Sequence, residues 1–262
     1  MQVSILASSS QGNCLLVKTP QQQILIDAGL SGKKIKNLLA SIGQDITQIN
    51  ALLVTHEHSD HIRGVGVLAR RYGLDIYANH KTWQAMAPKI GKIAPEQCHD
   101  FAANTTMNLG GVDIESFSVS HDAADPQFYN VHYGGKSFVD VTDTGYVSEK
   151  MKYIIRNADG ILMECNHDLQ MLRQGRYPWS LKQRIISDEG HLSNMDGAQA
   201  LCDIIGNRTK QVFLGHLSPE NNLKKLAHQT VATTLTQNDL GVDHDFYLHD
   251  TDPQKATPLI TI

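Results

Sequence analysis

Thr55-His56-Glu57-His58-Ser59-Asp60-His61 places four strong metal-ligand side chains within six residues, directly after the apolar run Ala51-Leu52-Leu53-Val54. His56, His58 and Asp60 share a two-residue spacing, so in an extended loop they point the same way, and His61 must point elsewhere. One ion cannot easily gather all four from so tight a loop. Two adjacent ions can, with His56 and His58 on one and Asp60 and His61 on the other. Imidazole combined with carboxylate suits zinc, manganese or iron rather than calcium. An accidental polar loop is the weaker reading, because clustered imidazoles need a partner that offsets their desolvation.

Further along the chain, three more ligand-type residues each follow a strand-like run. His121 follows residues 117–120, Asp143 follows 137–141 within Thr142-Asp143-Thr144-Gly145, and His216 follows 212–214 within Gly215-His216-Leu217-Ser218. Loops at the carboxyl ends of strands converge on common sites, and this shared context lifts all three above ordinary loop residues.

The remaining pattern alternates strand and helix. Strands are expected over 3–7, 15–18, 24–26, 51–55, 76–78, 112–120, 128–132, 137–141, 161–163 and 212–214. A helix capped by Ser31 and stopped by Gly43 carries Ile35, Leu38, Leu39 and Ile42 at helical spacing. Other helices are expected over 63–72, 147–157 and 168–186. Ser193-x-x-Asp196 reads as a capping box for a helix through 198–205, and Ser218-Pro219-Glu220 as the start of the last long helix. The stretch between 78 and 112 reads as loop-rich. Strand runs with interposed helices predict an α/β sandwich of two sheets covered by helices. With no linker and no repeat, a single domain over residues 1–262 is expected.

Apolar residues make up 41% of the chain, enough for a sizeable core. A formal charge of −4 argues against a generic basic nucleic-acid binder, though not against a local basic track. Cys14, Cys98, Cys165 and Cys202 stand far apart, which reads as reduced thiols. With no signal-peptide pattern and no membrane-length apolar run, a cytoplasmic protein is expected.

The order His-x-His-x-Asp-His, then His, then Asp, then His, resembles the metallo-β-lactamase superfamily, over about residues 6–218. That resemblance implies a four-layer αββα sandwich and the ligand set His56, His58, Asp60, His61, His121, Asp143 and His216. It also implies that Asp27, in Leu25-Ile26-Asp27-Ala28-Gly29, supports the metal loop without binding metal. A turn cap is nearly as good a reading of Asp27 from the residues alone. Finer segments resemble the WalJ-type (YycJ-type) exonuclease branch. They include Ser8-Ser9-Ser10-Gln11-Gly12-Asn13-Cys14, Thr142-Asp143-Thr144-Gly145-Tyr146, Asn166-His167-Asp168, Gly175-Arg176-Tyr177-Pro178-Trp179 and Gly190-His191-Leu192-Ser193-Asn194. The branch resemblance implies hydrolysis of DNA from the 5′ end. The sequence departs from that branch at Asp140, where an apolar residue is expected, and at Cys165, where serine is expected. Asp143 is preferred to Asp140 as the bridging ligand because it precedes the Thr-Gly turn.

Two divalent ions, zinc or manganese, would lower the pKa of a water and offset charge developing on phosphorus. Asp60 is the candidate to orient that water or accept its proton. The departing sugar oxygen needs a proton, and His191 is the candidate donor. Related nucleases pair a histidine here with a carboxylate after the preceding core strand, where Glu164 stands. An exposed loop residue for His191 and a structural ion pair for Glu164 are the competing readings. The segment 171–186 carries Arg173, Arg176, Lys182 and Arg184 with Tyr177 and Trp179 and no acidic residue. That composition suits a DNA sugar-phosphate track, or a solvated helix pair with core aromatics. RNA processing, and hydrolysis of a cyclic phosphodiester, lactone or thioester, remain alternatives. A di-iron reductase would have glutamate in place of His58, and a non-catalytic module would have lost ligands.

Overall fold

Short Val-, Ile- and Leu-rich runs flanked by Gly, Asn and Ser form fourteen strands in two mixed sheets, and with nine α-helices these make an α/β sandwich. The computed structural model describes residues 1–262. Its contacts divide into two compact units, Met1–Ser118 with Ala123–Gly135 and Thr251–Thr261, and Val119–Asp122 with Lys136–Asp250 and Ile262.

The first unit opens with β1 (Gln2–Ala7), β2 (Cys14–Lys18) and β3 (Gln23–Ile26), an antiparallel meander. Then come α1 (Gly32–Ser41), β4 (Ala51–Leu53), α2 (Ser59–Ile62), α3 (Val65–Tyr72), β5 (Asp75–Ala78), α4 (His80–Ile90) and β6 (Cys98–Asp100). From β3 to β6 the strands run parallel, each joined to the next by a helical crossover, so their carboxyl ends share one edge. Ile35, Leu38 and Leu39 of α1, Leu68 of α3 and Met86 of α4 pack with Leu16, Leu25, Leu52 and Ile76 in one buried cluster. Each such side chain contributes about 1.5–3 kcal/mol on leaving water. An antiparallel meander follows, β7 (Thr106–Leu109), β8 (Val112–Ser118) and β9 (Gln127–Tyr133).

The second unit contains β10 (Lys136–Val141), α5 (Glu149–Ile155), β11 (Gly160–Glu164), α6 (Leu169–Gln174), α7 (Trp179–Ile185), α8 (Asn194–Ile204), β12 (Gln211–Gly215), α9 (Lys224–Gln237) and β13 (Tyr247–Asp250). Its four strands are all parallel. The capping box at Ser193 and Asp196 forms as expected and opens α8. The chain closes on β14 (Ile260–Thr261), which pairs with β1 in the first unit.

Two sequence expectations need correction. The stretch after β5 is not all loop. Asn79 caps the eleven-residue α4, which buries Thr82, Met86 and Ile90 and tolerates Pro88 in its last turn. The last long helix does not begin at Ser218-Pro219-Glu220 but at Lys224. Ser218 Oγ instead accepts from the Asn221 amide at 3.2 Å, and Asn222 Nδ2 donates to the carbonyls of Cys165 and Asn166 at 2.7 and 3.1 Å. Those tertiary bonds hold residues 218–222 as a turn. No helix is long and apolar enough to cross a membrane.

Candidate metal centre

In the first unit, Asp27 leaves β3 in the left-handed region, with φ 59°. This aims its carboxylate at the loop after β4. It accepts from the Thr55 amide at 2.9 Å, from Thr55 Oγ1 at 2.8 Å and from His61 Nδ1 at 2.7 Å. Since the Thr55 hydroxyl proton goes to Asp27, its oxygen is left to accept from His56 Nδ1 at 3.0 Å. Both imidazoles thereby hold their proton on Nδ1 and turn the Nε2 lone pair outward. The rings of His58 and His61 lie 4.6 and 4.1 Å from that of His56. The loop is extended only as far as His58, and Ser59–Ile62 then wind into one helical turn. This turn, rather than strand-like alternation, sets Asp60 beside His61, with Oδ2 3.5 Å from Nε2. Asn13 holds the turn down, its amide donating to the Asp60 carbonyl at 2.8 Å. A Cβ on Gly29 would collide with that same carbonyl, so only glycine allows the approach.

In the second unit the same device recurs. Asp143 and His216 follow β10 and β12 with φ of 52° and 55°. Left-handed backbone at a non-glycine residue costs about 1–3 kcal/mol and clusters at functional sites. Glu164, the last residue of β11, is fully buried and accepts four hydrogen bonds. Its Oε1 takes His216 Nδ1 at 2.9 Å and His191 Nδ1 at 2.8 Å. Its Oε2 takes the Thr144 and Leu192 amides at 3.0 and 3.3 Å. His216 then presents Nε2 to Asp143 Oδ1 at 3.3 Å. His121 donates from Nδ1 to the Gly190 carbonyl at 3.1 Å and directs Nε2 toward Asp143 Oδ1 at 3.7 Å. One donor atom from each of Asp143, Glu164, His191 and His216 lies within 4.8 Å of the others.

Electrostatics follow from this packing. Burial works to raise the Glu164 pKa, but charge and hydrogen bonds from His191 and then His216 outweigh it and hold the carboxyl below its ordinary range. Burial likewise disfavours the His191 cation, yet the Glu164 charge and hydrogen bond win, and its pKa rises. His167, on the loop after β11, is buried and carries no hydrogen bond on either ring nitrogen. Burial pushes it down to about 4, which keeps it neutral.

The basic segment is split by its own packing. Arg176 is exposed, as is Trp179. Lys182 is buried, and its ammonium donates to the carbonyls of Arg173 and Gly175 at 2.7 Å each, so it closes the turn between α6 and α7. Arg184 is paired with Asp122. Asp140 lies within β10, opposite Leu162, not at the strand's end. Sequence reasoning missed the grip of Glu164 on His216. No local signal reports a contact across 52 residues.

The donor chemistry fits divalent metal. In the first unit His56 and His61 keep Nδ1 on a protein acceptor, with His61 Nε2 beside Asp60; in the second His121 and His216 do the same, with Nε2 toward Asp143. Outer acceptors that fix the tautomer are what a metal-ligating histidine requires. Ligand-type loops at strand carboxyl ends in a two-sheet sandwich define a metallo-hydrolase. Residues 22–217 match the beta-lactamase superfamily domain, and the chain belongs to that superfamily.

Exodeoxyribonuclease WalJ of Streptococcus pneumoniae is 58% identical over 261 residues, covering 99% of this chain and 97% of the relative. Exodeoxyribonuclease YycJ of Bacillus anthracis is 48% identical over 256 residues, covering 98% and 97%. Among solved structures, the metallo-β-lactamase fold protein YhfI of Bacillus subtilis superposes with a TM-score of 0.73 at 16% identity, covering 98% of each chain. That likeness is one of fold.

Proposed function

We propose that this chain is a metal-dependent phosphodiesterase acting on DNA, a 5′-to-3′ exonuclease. Two divalent ions, zinc or manganese, would be held by His56, His58, Asp60, His61, His121, Asp143 and His216. The observation that carries the reading is Glu164 joining a ligand-type histidine, His216, to one outside the ligand set, His191. A phosphodiester releases a sugar oxygen that needs a proton, and a raised-pKa histidine beside the donors supplies it. The likeness to two exodeoxyribonucleases over nearly the whole chain supports DNA as the substrate.

Bound divalent ions would supply hydroxide-like water at neutral pH and offset charge on the phosphate. The chain's own groups do the rest. Asp60 orients the attacking water and takes its proton as the new P–O bond forms. The bond from phosphorus to the 3′ oxygen of the terminal nucleotide breaks. His191 Nε2 gives its proton to that oxygen while Glu164 holds Nδ1 and the developing charge. Asp27 fixes His61 through Nδ1. Arg176 and Trp179 lie exposed to meet backbone and base, with Arg184 beside them on its carboxylate partner. Lys182 shapes that surface from beneath. Four free cysteines support a reducing, cytoplasmic setting.

The test is linear duplex DNA labelled at the 5′ or the 3′ end, incubated with manganese, zinc or chelator, alongside Asp60→Ala. Prompt release of the 5′ label as short products, lost with chelator and with the variant, is the expected result. Intact DNA with the ions demonstrably bound would overturn it and point to RNA or a small phosphodiester.

A further inference from the structure

A cavity of about 430 Å³ opens in the first unit with Asp60 in its wall. Its lining includes the hydroxyls of Ser9, Ser10 and Ser59 and the cations of Lys34 and Arg63. We propose that this cavity receives the terminal 5′-phosphate monoester of the strand under digestion. The proposal rests on the DNA-exonuclease reading above and adds a reason for attack at ends.

The wall is rigid. Ser9 is buried, its amide donates to Asn13 Oδ1 at 3.1 Å, and its own Oγ and carbonyl accept the Gln11 and Gly12 amides at 3.2 and 3.1 Å. The Asn13 amide in turn fastens this loop to the carbonyl of Asp60 at 2.8 Å. The Ser9 loop is therefore fastened beside a proposed metal ligand, and Lys34 and Arg63 line the same cavity.

The charge pattern is that of an anion site rather than of a stability feature. The first turn of α1 carries Lys33 and Lys34 and no acidic residue, which puts positive side chains at the positive end of the helix dipole. Neither Lys34 nor Arg63 is drawn into an ion pair within the chain, and the one carboxylate in the lining is Asp60. An arriving phosphate relieves the repulsion between these cations and the helix end. A terminal monoester carries about −1.5 to −2 charges near neutral pH, against −1 for an internal diester, so the pocket favours ends. A volume in the range of small-ligand sites suits one terminal nucleotide. With the first internal phosphodiester at Asp60, the 5′-terminal phosphate falls in the adjoining space.

The experiment compares 5′-phosphorylated with 5′-hydroxyl oligonucleotides, using the metal-loaded enzyme, Lys34→Gln, Arg63→Gln and the double variant. Cleavage rates are measured on ordinary DNA, and dissociation constants on a cleavage-resistant phosphorothioate strand. The expected result is at least about tenfold preference for the 5′-phosphate in rate and in binding, falling toward one in the double variant. Equal handling of the two ends by the wild type, or a preference that survives in the double variant, overturns the pocket. If neither substrate is cut, the exonuclease reading fails by itself. The binding arm still decides the pocket, and equal affinity for the two ends sinks it.

Discussion

At Glu164 a single buried carboxylate serves two histidines, and the two uses separate by mutation. Glu164→Gln keeps the shape but removes the charge that steadies His191 and orients His216. Metal affinity is expected to fall about 10–100-fold, as when an outer partner of a ligand is lost, and the rate to fall with it. His191→Ala should retain metal and lose about 10²–10⁴ in rate, the usual worth of a positioned acid. A DNA substrate with sulfur at the bridging 3′ position leaves without a proton. On it the His191→Ala deficit should largely vanish, while that of Glu164→Gln should persist. Metal titration with single-turnover kinetics on both substrates checks this. A His191→Ala deficit equal on oxygen and sulfur would remove the acid role.

Individual elements depend on contacts that reach across loops. The tight turn of α2 lies against Gly29, and a methyl group there would collide with the backbone of Asp60 and of Asn13. Gly29→Ala is expected to destabilise by about 1–3 kcal/mol, the usual range for an overpacked site, and to lower metal content, read by denaturant melts and metal analysis. In the second unit, Asp159 clamps the starts of β10 and β11. Its oxygens accept from Lys136 Nζ at 2.9 Å, the Ser137 amide at 3.0 Å and Arg208 Nη2 at 2.6 Å. Burial opposes ionisation, but these partners, Lys136 foremost, hold the carboxyl below its usual pKa. A depressed folded-state pKa means stability that is fully present above the unfolded value near 4 and lost as pH falls through the folded one. Both cations are half-exposed, so solvent screening moderates the effect. Asp159→Asn should flatten the acid limb of a stability-against-pH profile below about pH 4, and an unchanged limb would count against the clamp.

For the whole molecule, the proposed ions would link stability to metal. In the first unit the Nδ1 atoms of His56 and His61 are held by Thr55 and Asp27, and in the second those of His121 and His216 by Gly190 and Glu164, which leaves each Nε2 for a proposed ion that would add stability by binding. An ion at a hundred times its dissociation constant adds about 2.7 kcal/mol by mass action. Chelation should therefore lower Tm measurably, and manganese or zinc should restore it. A Tm indifferent to chelator would show that the donor groups are not linked to folding.

Much of this was legible from local pattern. Short apolar runs bounded by turn residues marked most strands, Ser31 and Ser193 marked two helix starts, and the spacing from His56 to His61 concentrated ligand chemistry after β4. These signals are short-range, so a linear reading captures them. Tertiary structure alone decided the rest. It added His216 to the expected pairing of Glu164 with His191, turned the Lys182 ammonium onto two carbonyls, and delayed α9 to Lys224 through the bonds of Asn222. It also drove Asp27, Asp143 and His216 into left-handed backbone. Buried polar groups must find partners wherever the fold brings donors and acceptors together, and separation along the chain carries no record of that meeting.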